Sequence, residues 1–178
     1  MKKYLIIGLG NPKEKYEYTR HNIGALILKK IILKNNIKKN FYNKFGNIYI
    51  IIYKKFKYFI LLSNLYMNKI GLSVKYFLKK YKLKYNSLIV ISDDIYLKFG
   101  KIKIKKNGGS GGHNGLKNIQ NILKTKNYVR IKIGIGHNFK YGEQNKYVLS
   151  TMNKKELYYI NNVIYFNIYN IIYNRLFL

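Results

Sequence analysis

The stretch "LIIGLGNPKEKYEYTRHNIG", residues 5–24, decides the fold. Tyr4–Ile7 is a short apolar run that reads as a buried first strand. Gly8-Leu9-Gly10 ends it and opens a loop. Beyond the loop, Ile23, Leu26, Ile27, Lys30 and Ile31 recur at helical spacing, which predicts a helix over Asn22–Leu33 with Thr19 or Asn22 near its start. A strand, a glycine-bracketed loop and a helix suit a nucleotide-binding turn. They suit equally a catalytic loop carrying the Thr19-Arg20-His21-Asn22 run.

The dinucleotide fingerprint is Gly-x-Gly-x-x-Gly with an acid about 20 residues on. Gly8 and Gly10 fit, but Lys13 takes the third glycine's place and Pro12 lies inside the turn. No acid occurs between Glu17 and Asp93, and the Gly-Lys-Ser/Thr of a phosphate-binding loop is absent. The turn therefore reads as a tight strand-to-loop connection.

The rest of the chain alternates strands with helices. "NIYIIIY" and "KYFILL" read as strands around the turn-like "KKFK", and "MNKIGLSVKYFLKKY" as a helix weakened at Gly71. "SLIVISDD" is a buried strand that ends at two aspartates, and "GKIKIKK" alternates like an exposed one. After "NGGSGGHNG" come a helix over Leu116–Leu123 and the strand "YVRIKIGIG"; "HNFKYGEQNKYVLS" has no period and reads as a loop. The tail Lys154–Leu178 places Leu157, Ile160, Ile164, Ile168 and Ile171 on one helical face. The expected fold is α/β, a single domain over residues 1–178 with a twisted mixed central sheet flanked by helices.

Composition narrows the chemistry. The chain of 178 residues has no cysteine, so disulfides and thiol nucleophiles are excluded. No apolar run approaches the ~18 residues of a membrane span, and the basic N-terminus meets Gly-Asn-Pro too soon for a signal peptide. A cytoplasmic protein without a membrane partner is expected. The formal net charge of +29 suits an anionic partner such as nucleic acid. Arginine stands only at Arg20, Arg130 and Arg175, however, so nearly all 35 basic residues are lysine. Lysine, asparagine, isoleucine, tyrosine and phenylalanine all have A/T-rich codons, so part of the charge is compositional drift. Residues that run against this bias carry more information: Asp93 and Asp94 are the only aspartates, and His21, His113 and His137 the only histidines.

A metal site needs clustered ligands. His21, His113 and Asp93 supply three, without a usual metal-ligand spacing. "GGSGG" around Ser110 matches a nucleophile elbow, yet no buried strand precedes it. The remaining option is a histidine general base acting on water. An unperturbed imidazole titrates near pH ~6.5, and a carboxylate on its far nitrogen fixes the tautomer. Asp93 ends a buried strand, where sheet proteins present groups to ligands. Sequence spacing alone does not bring it to His21.

"GLGNPKEKYEYTRHNIG", "LYMNKIGLSV", "SDDIYLKFGKIKIKKNGGSGGHNGL" and "RIKIGIG" together resemble the bacterial-type peptidyl-tRNA hydrolases, in order over essentially the whole chain. The resemblance implies a compact α/β monomer that cleaves the ester between a peptide and the tRNA 3′ ribose, without metal or cofactor. It implies that His21 activates water, that Asp93 orients His21, and that Asn11 contacts the substrate and helps tell a blocked peptidyl amide from a free amino group. Asn68 and Asn114 would hydrogen-bond the peptide and ester region, Tyr16 and Tyr66 would line the site, and His113 would stand behind them. Lys105 and Lys132 would meet the tRNA acceptor stem and 3′ end. Three positions depart from the family pattern: Lys13 replaces a glycine, Tyr96 an acid, and Lys132 an arginine, which keeps the charge but loses the bidentate fork. A non-catalytic RNA-binding module, an RNA-splicing or chaperone homologue and a dinucleotide enzyme are the competing readings.

Overall fold

The computed structural model describes all residues except 36, 38 and 176–178. Its centre is one seven-stranded sheet formed by β1 (Lys2–Gly8), β2 (Lys39–Asn43), β3 (Gly46–Tyr53), β4 (Phe56–Ser63), β5 (Leu88–Asp94), β6 (Ile102–Lys105) and β7 (Val129–Gly134). The strand order is β2-β3-β4-β1-β5-β7-β6. The four inner strands run parallel, and β2, β3 and β6 are antiparallel to their neighbours. The sheet is therefore mixed, as the sequence predicts.

Strand periodicity builds a core on each face. From β1 and β5, Leu5, Ile7, Leu88 and Val90 point to one side and Ile6, Ile89 and Ile91 to the other. The first side is covered by α2 (Ile70–Lys80) and α3 (Asn114–Leu123). The second is covered by α1 (Ile23–Lys34) and the C-terminal helical segment. That segment comprises α5 (Lys154–Tyr159), a wide π turn over Ile160–Ile164, α6 (Tyr165–Asn170) and a second π turn over Ile171–Arg175. Its buried row is Ile160, Ile164, Ile168 and Ile172. A strict spacing of four overruns a 3.6-residue turn, and the wide turns absorb the excess so that the row stays on the sheet. Ile172 rather than Ile171 thus completes the row, and the end of the expected helix lies outside the described residues. A second difference is α4 (Gln144–Val148), a short helix inside the stretch read as a loop. A third is β2, which the sequence reading missed.

The topology fixes where a site forms. The chain leaves β1 toward β4 and leaves β5 toward β7, so a crevice opens between the C-terminal ends of β1 and β5. Both ends carry residues singled out above.

Candidate active site

Two close approaches bring the loop after β1 to the end of β5. A Cβ on Gly8 would stand 2.1 Å from the Gly24 carbonyl oxygen, and one on Gly24 would stand 2.3 Å from the Ile91 carbonyl oxygen. The glycines therefore serve packing of α1 against the strands, not a turn conformation. The Leu9 N–H donates to the Ile91 carbonyl at 2.8 Å, and the Ala25 N–H to the Leu9 carbonyl at 3.1 Å. The single turn Arg20–Asn22, which precedes α1, is thereby held over β5.

His21 and Asp93 meet across this contact, 72 residues apart in sequence. His21 Nδ1 lies 2.9 and 3.0 Å from the two Asp93 carboxylate oxygens, and both side chains are buried. His113 joins them: its Nε2 is 2.9 Å from Asp93 Oδ1, and its ring centroid is 4.6 Å from that of His21. The other nitrogen of His113, Nδ1, accepts the N–H groups of Gly115 and Leu116 at 3.1 and 3.4 Å, capping α3. A nitrogen that accepts two N–H groups carries no proton, so the His113 proton is on Nε2 and is donated to Asp93. Asp93 also takes the Nδ1 proton of His21, which leaves His21 Nε2 as a lone pair.

These three residues also form the one metal-sized cluster among the described residues, with ligand atoms within 4.8 Å of one another. The donor chemistry argues against an ion there. A metal would need His113 Nε2 bare, while the cap at Nδ1 forces the proton onto it. The cluster is built as a hydrogen-bond network. Burial would raise the Asp93 carboxyl, but His113 and His21 outweigh it and hold it well below the usual carboxylate range.

Asn11 is tied to Asn22, the residue after His21, and its orientation is fixed. Its N–H donates to Asn22 Oδ1 at 2.8 Å, and Asn22 Nδ2 returns a bond to the Asn11 carbonyl at 2.9 Å. Asn22 is thus spent on Asn11 and does not cap α1 through its side chain. Asn11 Oδ1 accepts the Met67 N–H at 2.9 Å, so its remaining side-chain capacity is as a donor through Nδ2.

The cavity beside the network has a volume of about 320 Å³. His21, Asp93, His113 and Asn114 line it, with Lys132, Tyr96 and α4 on its far walls. Ser110 lines it as well, but stands in a glycine loop and not on a strand-to-helix elbow. Gly111 and Gly112 in that loop have positive φ, +60° and +82°. The loop's base is anchored by buried Arg130, whose Nη1 donates to the carbonyls of Gly108 and Gly109, and by Gln120 Nε2 to Gly108 at 3.1 Å.

The other expected residues fall in three groups. Tyr16 and Tyr66 meet edge to face at 6.5 Å, with Lys15 over the first ring and Lys13 over the second. Asn68 and Asn114 are exposed, and among the described residues neither carboxamide is engaged. The lysines separate: Lys132 lines the cavity with its ammonium paired to Asp94, while Lys105 is exposed on edge strand β6 and does not line it.

Sequence reasoning missed the role of Arg20. Its guanidinium makes two bonds to Glu156, at 2.7 and 2.8 Å, reaches Ser150 Oγ at 2.8 Å and the Thr151 carbonyl at 3.1 Å, and lies over the Tyr147 ring. It ties the turn that carries His21 to the segment that bears α4. Its rarity in a lysine-rich chain was the available signal.

Residues 5–171 match the family model described as "Peptidyl-tRNA hydrolase". The chain is 43% identical over 155 residues to a peptidyl-tRNA hydrolase of Azobacteroides pseudotrichonymphae, covering 86% of this chain and 82% of that one. It is 42% identical over 165 residues to that of Ureaplasma urealyticum, covering 92% and 88%. Its fold is similar to the crystal structure of peptidyl-tRNA hydrolase from Acinetobacter baumannii, with a TM-score of 0.82 and 33% identity over 90% of this chain and 82% of that one.

Proposed function

The chain belongs to the peptidyl-tRNA hydrolase family, and from that membership we propose that His21 activates the water that cleaves the ester between peptide and tRNA 3′ ribose. The observation that carries this is the imidazole of His21, buried on Asp93 with its free lone pair at Nε2 beside the cavity. Nε2 takes a proton as the water oxygen adds to the ester carbonyl. The imidazolium, stabilised by the Asp93 carboxylate, then gives that proton to the departing ribose oxygen as the tetrahedral intermediate collapses. The products are a free peptide carboxylate and tRNA with its terminal hydroxyl restored.

Asn11 Nδ2 is a donor and its oxygen is already spent, which supports a contact to an oxygen of the substrate. A peptidyl group carries an acyl oxygen on its α-nitrogen and an unblocked aminoacyl group does not. Asn11 thereby distinguishes the two. Asn68 and Asn114 donate to the ester and peptide region, Tyr16 and Tyr66 pack against the substrate, and His113 acts through Asp93. Lys105 meets acceptor-stem phosphates. Lys132 contributes less charge there, because Asp94 already neutralises it.

In this reading the enzyme acts as a monomer. None of the described helices is long and apolar enough to cross a membrane. The test is hydrolysis of N-acetyl-aminoacyl-tRNA against unblocked aminoacyl-tRNA. Selective release of tRNA from the blocked form is expected; equal rates on both, or none on either, would refute the reading.

A further inference from the structure

Two residues that stand out in the sequence have no part in the chemistry above. His137 is one of three histidines, and Tyr96 follows closely on the chain's only two aspartates. The fold brings them together. Tyr96 stands just after β5, its N–H bonded to Asp94 Oδ1 at 2.8 Å, and it lines the cavity with its side chain 70% exposed. Its ring centroid lies 6.5 Å from that of His137 and the planes differ by 29°, an offset pair of roughly parallel rings.

The pair continues inward as a row of rings. His137 is 4.3 Å from Phe139, and Phe139 is 4.9 Å from Tyr147. Tyr147 is anchored by its hydroxyl, which donates to the Ile135 carbonyl at 2.6 Å, and by the Arg20 guanidinium over its face. The inner end of the row is therefore fixed, and the outer ring is open to solvent at the cavity mouth. Many tyrosines of this chain reflect drift, but this one is placed at a rim and backed by three further rings.

We propose that Tyr96 and His137 form a stacking platform for an unpaired base at the 3′ end of the tRNA. The inference rests on the ester-hydrolase reading above. If the terminal ribose lies at His21, the nucleotides before it leave the cavity over its rim. An unpaired base stacks on an aromatic ring whatever its sequence. Lys98 and Lys140 follow Tyr96 and Phe139 closely in the chain and supply positive charge for the accompanying phosphates. The peptide has other walls: Tyr16 and Tyr66 do not line this cavity, and Asn11 stands in a separate hollow with Asn47 and Asn64.

The test uses a deacylated acceptor-stem RNA hairpin ending in an unpaired 3′ tail, with 2-aminopurine at each tail position in turn. Stacking quenches this base, so binding to the native protein quenches it at one position. Tyr96→Ala abolishes that quench and weakens binding roughly five-fold or more, Tyr96→Phe retains both, and His137→Ala is intermediate. With N-acetyl-aminoacyl-tRNA, Tyr96→Ala raises KM by a similar factor while kcat stays within roughly two-fold. Circular dichroism confirms that each variant is folded. An unchanged quench at every position in Tyr96→Ala overturns the proposal. So does an intact quench with altered preference among acetylated amino-acid side chains, which assigns the rings to the peptide. Turnover of blocked tRNA by the native protein reports on the ester-hydrolase reading alone, so the two failures are distinguishable.

Discussion

His113 and His21 both give a proton to Asp93, and the α3 cap decides which of them is the base. His113 has its second nitrogen occupied by two main-chain N–H groups, whereas His21 keeps a lone pair. The carboxylate between them is depressed in pKa, and the sign of its contribution follows. A lowered folded-state value adds stability that is fully present above the unfolded-state value, near 3.8, and is lost as pH falls through the folded-state value. Asp93→Asn removes that contribution. In urea unfolding, the native chain should exceed the variant at neutral pH, and the gap should begin to close below about pH 4. A gap that does not change with pH would contradict this account. Asp93 was legible in the sequence because it ends a buried strand in a chain almost without acids. Its pairing with His21 was not legible from spacing, since sheet order and two glycine contacts create it. The tautomer of His113 was hidden for the same reason: main-chain groups of α3 set it.

At the scale of elements, Arg20 joins the site to its far wall. Its ion pair with Glu156 is mostly buried, with 12% and 17% of the side chains exposed, and Glu156 also completes the capping box with Asn153 that starts α5. An antiparallel bridge between Thr19 and Thr151 runs alongside. Arg20→Met should therefore lower stability by about 2 kcal/mol, the scale of a lost charged hydrogen bond. It should also raise KM more than it lowers kcat, because α4 lines the cavity while His21 stays bonded to Asp93 of β5. Hydrogen exchange should show protection lost first over residues 144–156. Unchanged exchange there would separate Arg20 from the wall. These contacts explain why α4 escaped the sequence reading: it spans five residues, buries none of them, and is held by tertiary bonds instead of its own pattern. The strands of the inner sheet were legible because both faces bury apolar residues. Edge strand β2 was not, because "KNFYN" carries little apolar content and gains its place from β3.

At the scale of the whole molecule, the net charge of +29 mixes drift with function, and salt separates them. Each phosphate neutralised by the protein contributes a slope of about −0.9 in log affinity against log salt. KM for blocked tRNA should rise roughly ten-fold or more between about 50 and 200 mM salt, which corresponds to at least about two phosphates. Lys105→Ala should reduce the slope by about 1, and Lys132→Ala by less, because Asp94 already balances Lys132. The family and the mixed α/β fold were legible at this scale from motifs in order along the chain. Which lysines matter was not, because codon drift has spread them over the whole surface. The central claim, that the geometry of the β1–β5 crevice makes His21 a base for water, is tested most directly by single-turnover hydrolysis of N-acetyl-aminoacyl-tRNA by His21→Ala at saturating enzyme. The rate should fall about 10²–10⁴-fold while substrate affinity stays within roughly three-fold; a variant that hydrolyses the ester at the native rate would contradict the account.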